Sequence, residues 1–478
     1  MLKKILFLLL GILIVSCEKE TIDIYDTLEI ETIDESDEIS RLFSETEMEV
    51  HVSTPFTIRE NTQLLKNEDG FSQYYDGTLA HVHGNIQYTF DNEEYLFVSP
   101  AGDPPERGTG IEVGPLLYKR IKNKWVFIKS FNDVNLYMVR NYDMSEDGSH
   151  FVLGDAPEYT WLPSPPPGKG VGIPSNIYIG KILKDDIEFT LVNPDKKVWA
   201  HDVSIGDINN DGLLDVASAG DGTRLYFQKS DGTFEIDESK VEQNWNWFHP
   251  FAIDFIDVDD DSILEFVVSS YNMPSDETKY HNDLQVYKMD SDGIFKRTFH
   301  SENPNEFIQG IAGAGMIRTS DMDNDGLTDV VIRREGYGIN IFNPTEIWKN
   351  NGDGTFSRLD IFGNSSVEEN GHYGFEIIDI NNDGFNDIAL VGFHWGSELR
   401  INPPRDDEGF ILNNLIHLNN GDGTFSKYNG KDLSGGEGFQ IEIFYPIKIN
   451  GKFRYIGKSS VPSPDGIISK LFEINFDL

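Results

Sequence analysis

Cysteine is all but missing from this chain of 478 residues: Cys17 is the only one. No disulfide framework can brace it, so rigidity must come from elsewhere. Positive charge is scarce as well. Lys and Arg number 39 against 81 Asp and Glu, a formal net charge of −42. That balance argues against nucleic acid or an anionic membrane surface as partner. No motif fixes a nucleophile, a paired-carboxylate site or a cofactor loop. Aromatic residues, at 12 %, are too many for a largely disordered chain. The length allows two or three average domains, or one large repeat array.

Much of the acid is concentrated in short loops. Asp207-Ile208-Asn209-Asn210-Asp211-Gly212-Leu213-Leu214-Asp215 reads D-x-N-x-D-G-x-x-D. Oxygens at positions 1, 3, 5 and 9 can converge on one hard cation, with the position 7 carbonyl as a further ligand. Gly212, at position 6, permits the sharp turn this needs. The pattern returns three times. Its second copy has Asp257, Asp259, Asp261, Ile263 and Glu265 at positions 1, 3, 5, 7 and 9; its third has Asp321, Asp323, Asp325, Leu327 and Asp329. The fourth has Asp379, Asn381, Asp383, Phe385 and Asp387; in the first, Leu213 supplies position 7. One such loop would be a weak signal, because Asp, Asn and Gly crowd ordinary turns. Four between apolar, strand-like runs make a strong one, and up to four structural Ca²⁺ sites are expected. In the second copy Ser262 replaces the glycine, at a cost on the order of 1 kcal/mol if the turn needs positive φ. Glu265 must also fit a longer side chain, so this copy should bind most weakly.

Loop starts are 257−207 = 50, 321−257 = 64 and 379−321 = 58 residues apart. Periods this long, filled with short strands, suggest propeller blades rather than a solenoid. A strand enters each loop, a second leaves it, and a hairpin follows. The hairpins repeat too: Tyr226 to Phe234, Trp348 to Phe356 and Leu418 to Phe425 share a Gly-Thr-Phe ending, with Met289 to Phe295 a looser copy. Asp-Gly between apolar runs is a strong hairpin cue. On these motifs, which cover roughly residues 200 to 426, the chain resembles the FG-GAP/VCBS repeat family. The resemblance implies an integrin-α-like β-propeller with Ca²⁺ in the loop between the first two strands, A and B, of a blade. An EF-hand reading fails, because position 12 is Ser218, Val268, Ile332 or Leu390, never Glu.

Counting outward gives an all-β, seven-bladed β-propeller of four-stranded antiparallel blades. Two degenerate blades precede the clear four, and three strands from residue 439 onward supply a seventh. Its fourth strand is expected from residues 71–75, so that an N-terminal strand closes the last blade and removes exposed edges.

Lys3, Lys4, the apolar run Ile5 to Val15 and Ile14-Val15-Ser16-Cys17 resemble a bacterial lipoprotein signal, residues 1–17, with Cys17 becoming the lipidated N-terminus. The acidic residues 18–48 read as a solvated tether, and residues 49–478 as the propeller. The acidic start after Cys17 resembles the surface-export signal of Bacteroidetes lipoproteins. The expectation is a monomer anchored at the outer-membrane surface, meeting the membrane through its lipid alone.

In antiparallel blades the A–B and C–D turns share one face. The long insertions, residues 100–114, 154–175, 271–283, 336–344 and 392–413, fall on the other, where function is expected. Candidate ligand-binding residues there are Trp199, His201, Trp245, Trp247, His249, Tyr271, His281, His372, Tyr373, His394, Trp395 and Arg400. Aromatic rings with Arg and His suit sugar stacking and pairing with uronate or sulfate. The alternative for Trp199 and Trp245 is packing between blades. His81, His201, His249 and His372 begin A strands, as hydrogen-bonded corners or as a second metal site. Two functions remain open. One is a surface module binding a glycan or a surface protein. The other is a propeller-type polysaccharide lyase acting on a uronate-containing glycan, with a His or Tyr base.

Overall fold

The computed structural model describes residues 52–56, 85–99, 115–121, 124–136, 139–157, 172–220, 222–242, 250–270, 284–301, 314–334, 345–362, 372–393, 416–427, 441–463 and 466–475. All its sheets lie in the unit Glu35–Leu478. After the first strand, β1 (Val52–Phe56), five sheets each take four consecutive antiparallel strands. The first is β2 (Ile86–Phe90), β3 (Glu93–Val98), β4 (Leu116–Ile121) and β5 (Lys124–Ser130). The second is β6 (Val139–Met144), β7 (His150–Asp155), β8 (Ile177–Leu183) and β9 (Asp186–Leu191). The third is β10 (Ala200–Gly206), β11 (Asp215–Gly220), β12 (Arg224–Gln228) and β13 (Phe234–Ile236). The fourth is β14 (Pro250–Ile256), β15 (Glu265–Ser270), β16 (Leu284–Met289) and β17 (Phe295–His300). The fifth is β18 (Ala314–Ser320), β19 (Asp329–Arg334), β20 (Thr345–Asn350) and β21 (Phe356–Phe362).

The sixth sheet has eight strands: β22 (His372–Ile378), β23 (Asp387–Phe393), β24 (Ile416–Asn419), β25 (Phe425–Lys427), β26 (Ile441–Ile449), β27 (Lys452–Ser463), β28 (Gly466–Asn475) and β1. The described residues therefore form a propeller of six sheets, which corrects the expected seven blades. β23 is seven residues long but pairs with β24 only at Ile388 and Ala389. Its far end still has backbone groups to satisfy, and Gly392 and Phe393 take Phe444 and Ile443 of β26 as partners. The strands counted as two units thus join into one sheet. The closing strand also differs. β1 covers the free edge of β28, with Val52 opposite Ile474 and Phe56 opposite Leu471. The segment expected there, residues 71–75, lies outside the described residues.

Inner strands are covered on both faces: β10, β11, β14 and β19 are buried along their whole length, their polar residues included. Each sheet packs on the next through such residues. Val152 and Ile179 meet Val203 and Val216; Ala217 and Leu225 meet Ile253 and Phe266; Val267 and Val286 meet Ile317 and Val330. The ring closes where Leu96, Tyr118 and Trp125 of the first sheet pack on Tyr445, Ile447 and Ile449. Gln87 adds hydrogen bonds across that seam, donating to the Lys448 carbonyl at 2.6 Å and accepting from the Lys448 N–H at 2.8 Å.

A form beginning at Thr57 lacks β1 and leaves the β28 edge unpaired. Its melting temperature should fall below that of a form beginning at Glu18. Equal melting temperatures would show that β1 adds nothing to closure.

Candidate functional site

Each acidic loop is a turn tied down by its own carboxylates. Asp207 accepts from the N–H groups of Asp211 at 2.9 Å and Gly212 at 2.7 Å; Asp257 does so from Asp261 at 3.1 Å and Ser262 at 2.8 Å. Asp321 accepts from Asp325 and Gly326 at 3.2 and 3.0 Å, and Asp379 from Gly384 at 3.3 Å. At position 5 each Asp accepts from the position 7 N–H at 2.9 Å. Position 6 has positive φ in every copy: 85° at Gly212, 64° at Ser262, 90° at Gly326 and 92° at Gly384. Position 4 is left-handed too, at Asn210, Asp260, Asn324 and Asn382, which explains why only Asn and Asp occur there.

Position 9 is the anchor. Asp215, Glu265, Asp329 and Asp387 are fully buried. Asp329 accepts from the Met322 N–H at 2.8 Å and from the Asn350 N–H on β20 at 2.8 Å. Asp387 repeats this with Ile380 and Asn419, both at 2.7 Å. Burial, with the neighbouring loop carboxylates, raises Asp215 to about 7; burial also lifts Asp329 and Asp387 to about 6. A bound cation would reverse that bias. The Asn350 amide also donates to the Val258 carbonyl at 3.0 Å, and that of Asn419 to the Met322 carbonyl at 2.8 Å, so each fastens the preceding blade's loop. Both asparagines sit at one position in the repeated hairpins, a sequence signal available but not used.

Each loop leaves one buried carboxylate oxygen without a well-formed hydrogen bond (Asp215 Oδ2, Glu265 Oε1, Asp323 Oδ1 or Asp379 Oδ1), and those at Asp207 and Asp379, with no lysine set among several of their carboxylates, fit a divalent cation. The other two differ. Lys288 Nζ lies 2.8 Å from Asp259, 2.9 Å from Asp261 and 2.9 Å from Glu265. Lys349 Nζ bonds Asp323, and Asp325 at 2.5 Å. Burial opposes the charge on both lysines, but these carboxylates outweigh it and keep the ammonium groups protonated well above their ordinary range.

The first strands converge on a second acidic cluster that the sequence reading missed. Asp143 of β6, Asp202 and Ser204 of β10, Asp254 of β14, Arg318 of β18 and Glu376 of β22 surround one axis, with Tyr142 and Tyr445 beside them. Asp202 is fully buried, accepting from the Ile253 and Ile317 N–H groups at 3.1 and 3.3 Å, with Arg318 at 3.6 Å. Arg318 also donates to the Tyr142 carbonyl. Tyr142 Oη lies 3.1 Å from Glu376 and 2.7 Å from Tyr445 Oη. Ser204 Oγ is 2.9 Å from both Asp143 and Asp254. One hydroxyl proton serves only one of those contacts, so the other requires a protonated carboxyl. Burial and the Asp143 charge push Asp254 well above the carboxylate range, making it the proton holder. Burial raises Asp202 and Glu376 to about 7, although Arg318 opposes it. A charged or hydroxyl residue three places before each loop start (Ser204, Asp254, Arg318, Glu376) was the sequence signal. Asp143 opens the degenerate motif of the second blade, yet accepts from Ser204 and the Ile205 N–H.

Of the expected ligand-face residues, two have described side chains. Trp199 is buried, its ring centroid 5.0 Å from that of Phe251. His201 is fully buried, between Arg140 at 3.2 Å and the Phe251 carbonyl at 3.1 Å. Both pack between sheets instead of facing solvent. His372 and Tyr373 begin β22. Trp245, Trp247, His249, Tyr271, His281, His394, Trp395 and Arg400 lie outside the described residues.

Two tests follow. Ser262→Gly should raise stability by about 0.5–1 kcal/mol, because glycine carries no penalty at positive φ; the check is a higher urea midpoint at unchanged m-value. The channel carboxylates titrate in the opposite sense to a salt-bridged acid. Glu376 stays protonated to about 7 when folded, against 4.5 as its ordinary value, so between those values the folded state binds the extra proton. Stability then falls as pH rises through that window. Glu376→Gln removes this contribution while keeping an acceptor for Tyr142. Relative to the unaltered protein its melting temperature should gain steadily from pH 4.5 to 7.5, and parallel curves would refute the assignment.

The FG-GAP-like repeat family matches residues 207–268 and 321–390, spanning the four acidic loops. No curated protein matches the chain. Among solved structures, a Lactobacillus plantarum protein is 13% identical over 67% of this chain and 83% of its own, with a TM-score of 0.39. Trypanosoma rangeli sialidase is 8% identical over 83% of this chain and 55% of its own (TM-score 0.39). A putative 6-phosphogluconolactonase from Bacteroides uniformis is 12% identical over 79% and 95% (TM-score 0.38). Scores this low carry no argument about activity. With acidic repeats joining the first two strands of consecutive four-stranded sheets, the chain carries FG-GAP-like repeats within a β-propeller.

Proposed function

We propose that this chain is a calcium-stabilised, lipid-anchored propeller of the bacterial outer-membrane surface that binds a glycan or a protein ligand. Binding takes place on the face opposite the acidic loops. The observation that carries this reading is the full burial of Asp215, Glu265, Asp329 and Asp387. A cation held beside Asp215 or Asp387 braces the turn between two strands and the hairpin beside it, leaving few coordination positions for a ligand. The acidic loops contact C–D turns, Leu327 against Gly352 and Phe385 against Gly421, so recognition falls to the long connections at the other end. Trp395 and Arg400 supply a stacking ring and a bidentate donor suited to acidic sugars.

A second reading, a uronate lyase, draws on Glu376: a half-buried carboxylate raised to about 7 beside Arg318 is a candidate base.

A glycan array run with and without chelator tests the first reading. Chelation should lower the melting temperature while binding well below that temperature persists, and Trp395→Ala or Arg400→Ala should abolish binding at unchanged melting temperature. Loss of binding on chelation with no change in melting temperature would overturn it. Ultraviolet detection of unsaturated products from uronate polysaccharides, lost on substituting Glu376, His249 or His372, would replace binding by catalysis.

A further inference from the structure

The four acidic loops share one backbone but carry two different electrostatic designs. Register makes the comparison direct. The residue after position 9 pairs with Tyr226, Tyr287, Trp348 or His417 on the third strand of its sheet. The next residue along that strand is Phe227, Lys288, Lys349 or Leu418. Position 3 changes in step with it. Where position 3 is Asn (Asn209, Asn381), the strand residue is apolar; where it is Asp (Asp259, Asp323), the strand residue is Lys. Ligating side chains therefore sum to −3 in the first and fourth loops and −4 in the second and third, where one lysine restores −3. Phe227 and Leu418 pack instead against hydrophobic core.

The lysines do more than balance charge at a distance. Lys288 contacts positions 3, 5 and 9 of its loop, and Lys349 positions 3 and 5. These are the oxygens that a cation at the loop centre must share at 2.3–2.6 Å. The carboxylates of Asp257, Asp259 and Glu265, and of Asp321, Asp323 and Asp325, converge within 4.8 Å of one another in these same two loops. A divalent ion and a tethered ammonium cannot both hold that oxygen set. Lys448 meets the fourth loop differently, at the Asp379 carbonyl and 3.8 Å from its carboxylate, with position 1 alone.

We infer that the loops starting at Asp257 and Asp321 are closed internally by Lys288 and Lys349 in place of a metal, whereas those at Asp207 and Asp379 take a divalent cation. This rests on the reading that FG-GAP-type loops of this chain bind Ca²⁺, and halves the number of sites expected from the sequence. The second and third blades of the acidic series are then independent of external calcium, and the first and fourth depend on it.

The test is calcium stoichiometry by titration calorimetry and native mass spectrometry on the whole folded chain, with calcium alone as probe. The unaltered protein should bind two ions. Asp259→Asn with Lys288→Leu gives the second loop the pair found in the fourth, and should raise the count to three. Adding Asp323→Asn with Lys349→Leu should raise it to four. The reverse exchange, Asn381→Asp with Leu418→Lys, should lower it from two to one, and decides the matter even if the first exchange fails to fold. A count of four in the unaltered protein, or a count insensitive to the exchanges, would overturn the inference. A count of zero in every form would instead remove the calcium reading on which it stands.

Discussion

A carboxylate without solvent must be matched by donors or by a cation. At Asp329 and Asp387 the match comes from two backbone N–H groups, one inside the acidic loop and one on the third strand of the sheet. That single side chain therefore fixes the loop, the register of the adjoining strand and the start of the hairpin together. The asparagine that supplies the second N–H reaches on to the loop of the preceding blade. Local turn chemistry is thereby coupled to blade-to-blade order without any disulfide.

The same constraint appears at the axis of the ring. Propeller first strands converge there, and a polar residue on one strand must be satisfied by its counterparts on others. Asp202 draws backbone donors from two further sheets, and Ser204 bridges carboxylates from two more strands. One arginine against four acidic groups leaves the cluster short of positive charge, and protons make up the difference. The propeller thus stores titratable groups in two places: the loops, where backbone N–H groups and lysines answer them, and the axis, where Arg318 and bound protons do.

Much of the architecture was legible in the chain because its determinants are local. Strand order, the positive φ at Ser262 and the Asp-Gly-Thr hairpins follow from residues within a few positions of one another. The blade count was not legible. Whether the end of β23 stops or recruits β26 depends on backbone groups 52 residues apart at Gly392↔Phe444 and 50 apart at Phe393↔Ile443. The same holds for the edge of β28, where two segments could compete and only pairing shows that Val52–Phe56 is the one used. Trp199 and His201 illustrate the limit for side chains: composition marks an aromatic and a histidine at a strand start, but burial against Phe251 makes them packing residues.

The sequence by itself determined the all-β repeat, the four acidic loops and the positions able to ligate a cation, because turn geometry and oxygen spacing are written within nine residues. Tertiary structure alone decided what stands opposite those oxygens. Lys288 and Lys349 lie 23 and 20 residues after the position 9 acids they approach or neighbour, Glu265 and Asp329. Only antiparallel pairing returns them to the loops, and only that return separates two loops with an ammonium set among several ligating carboxylates from two without that arrangement.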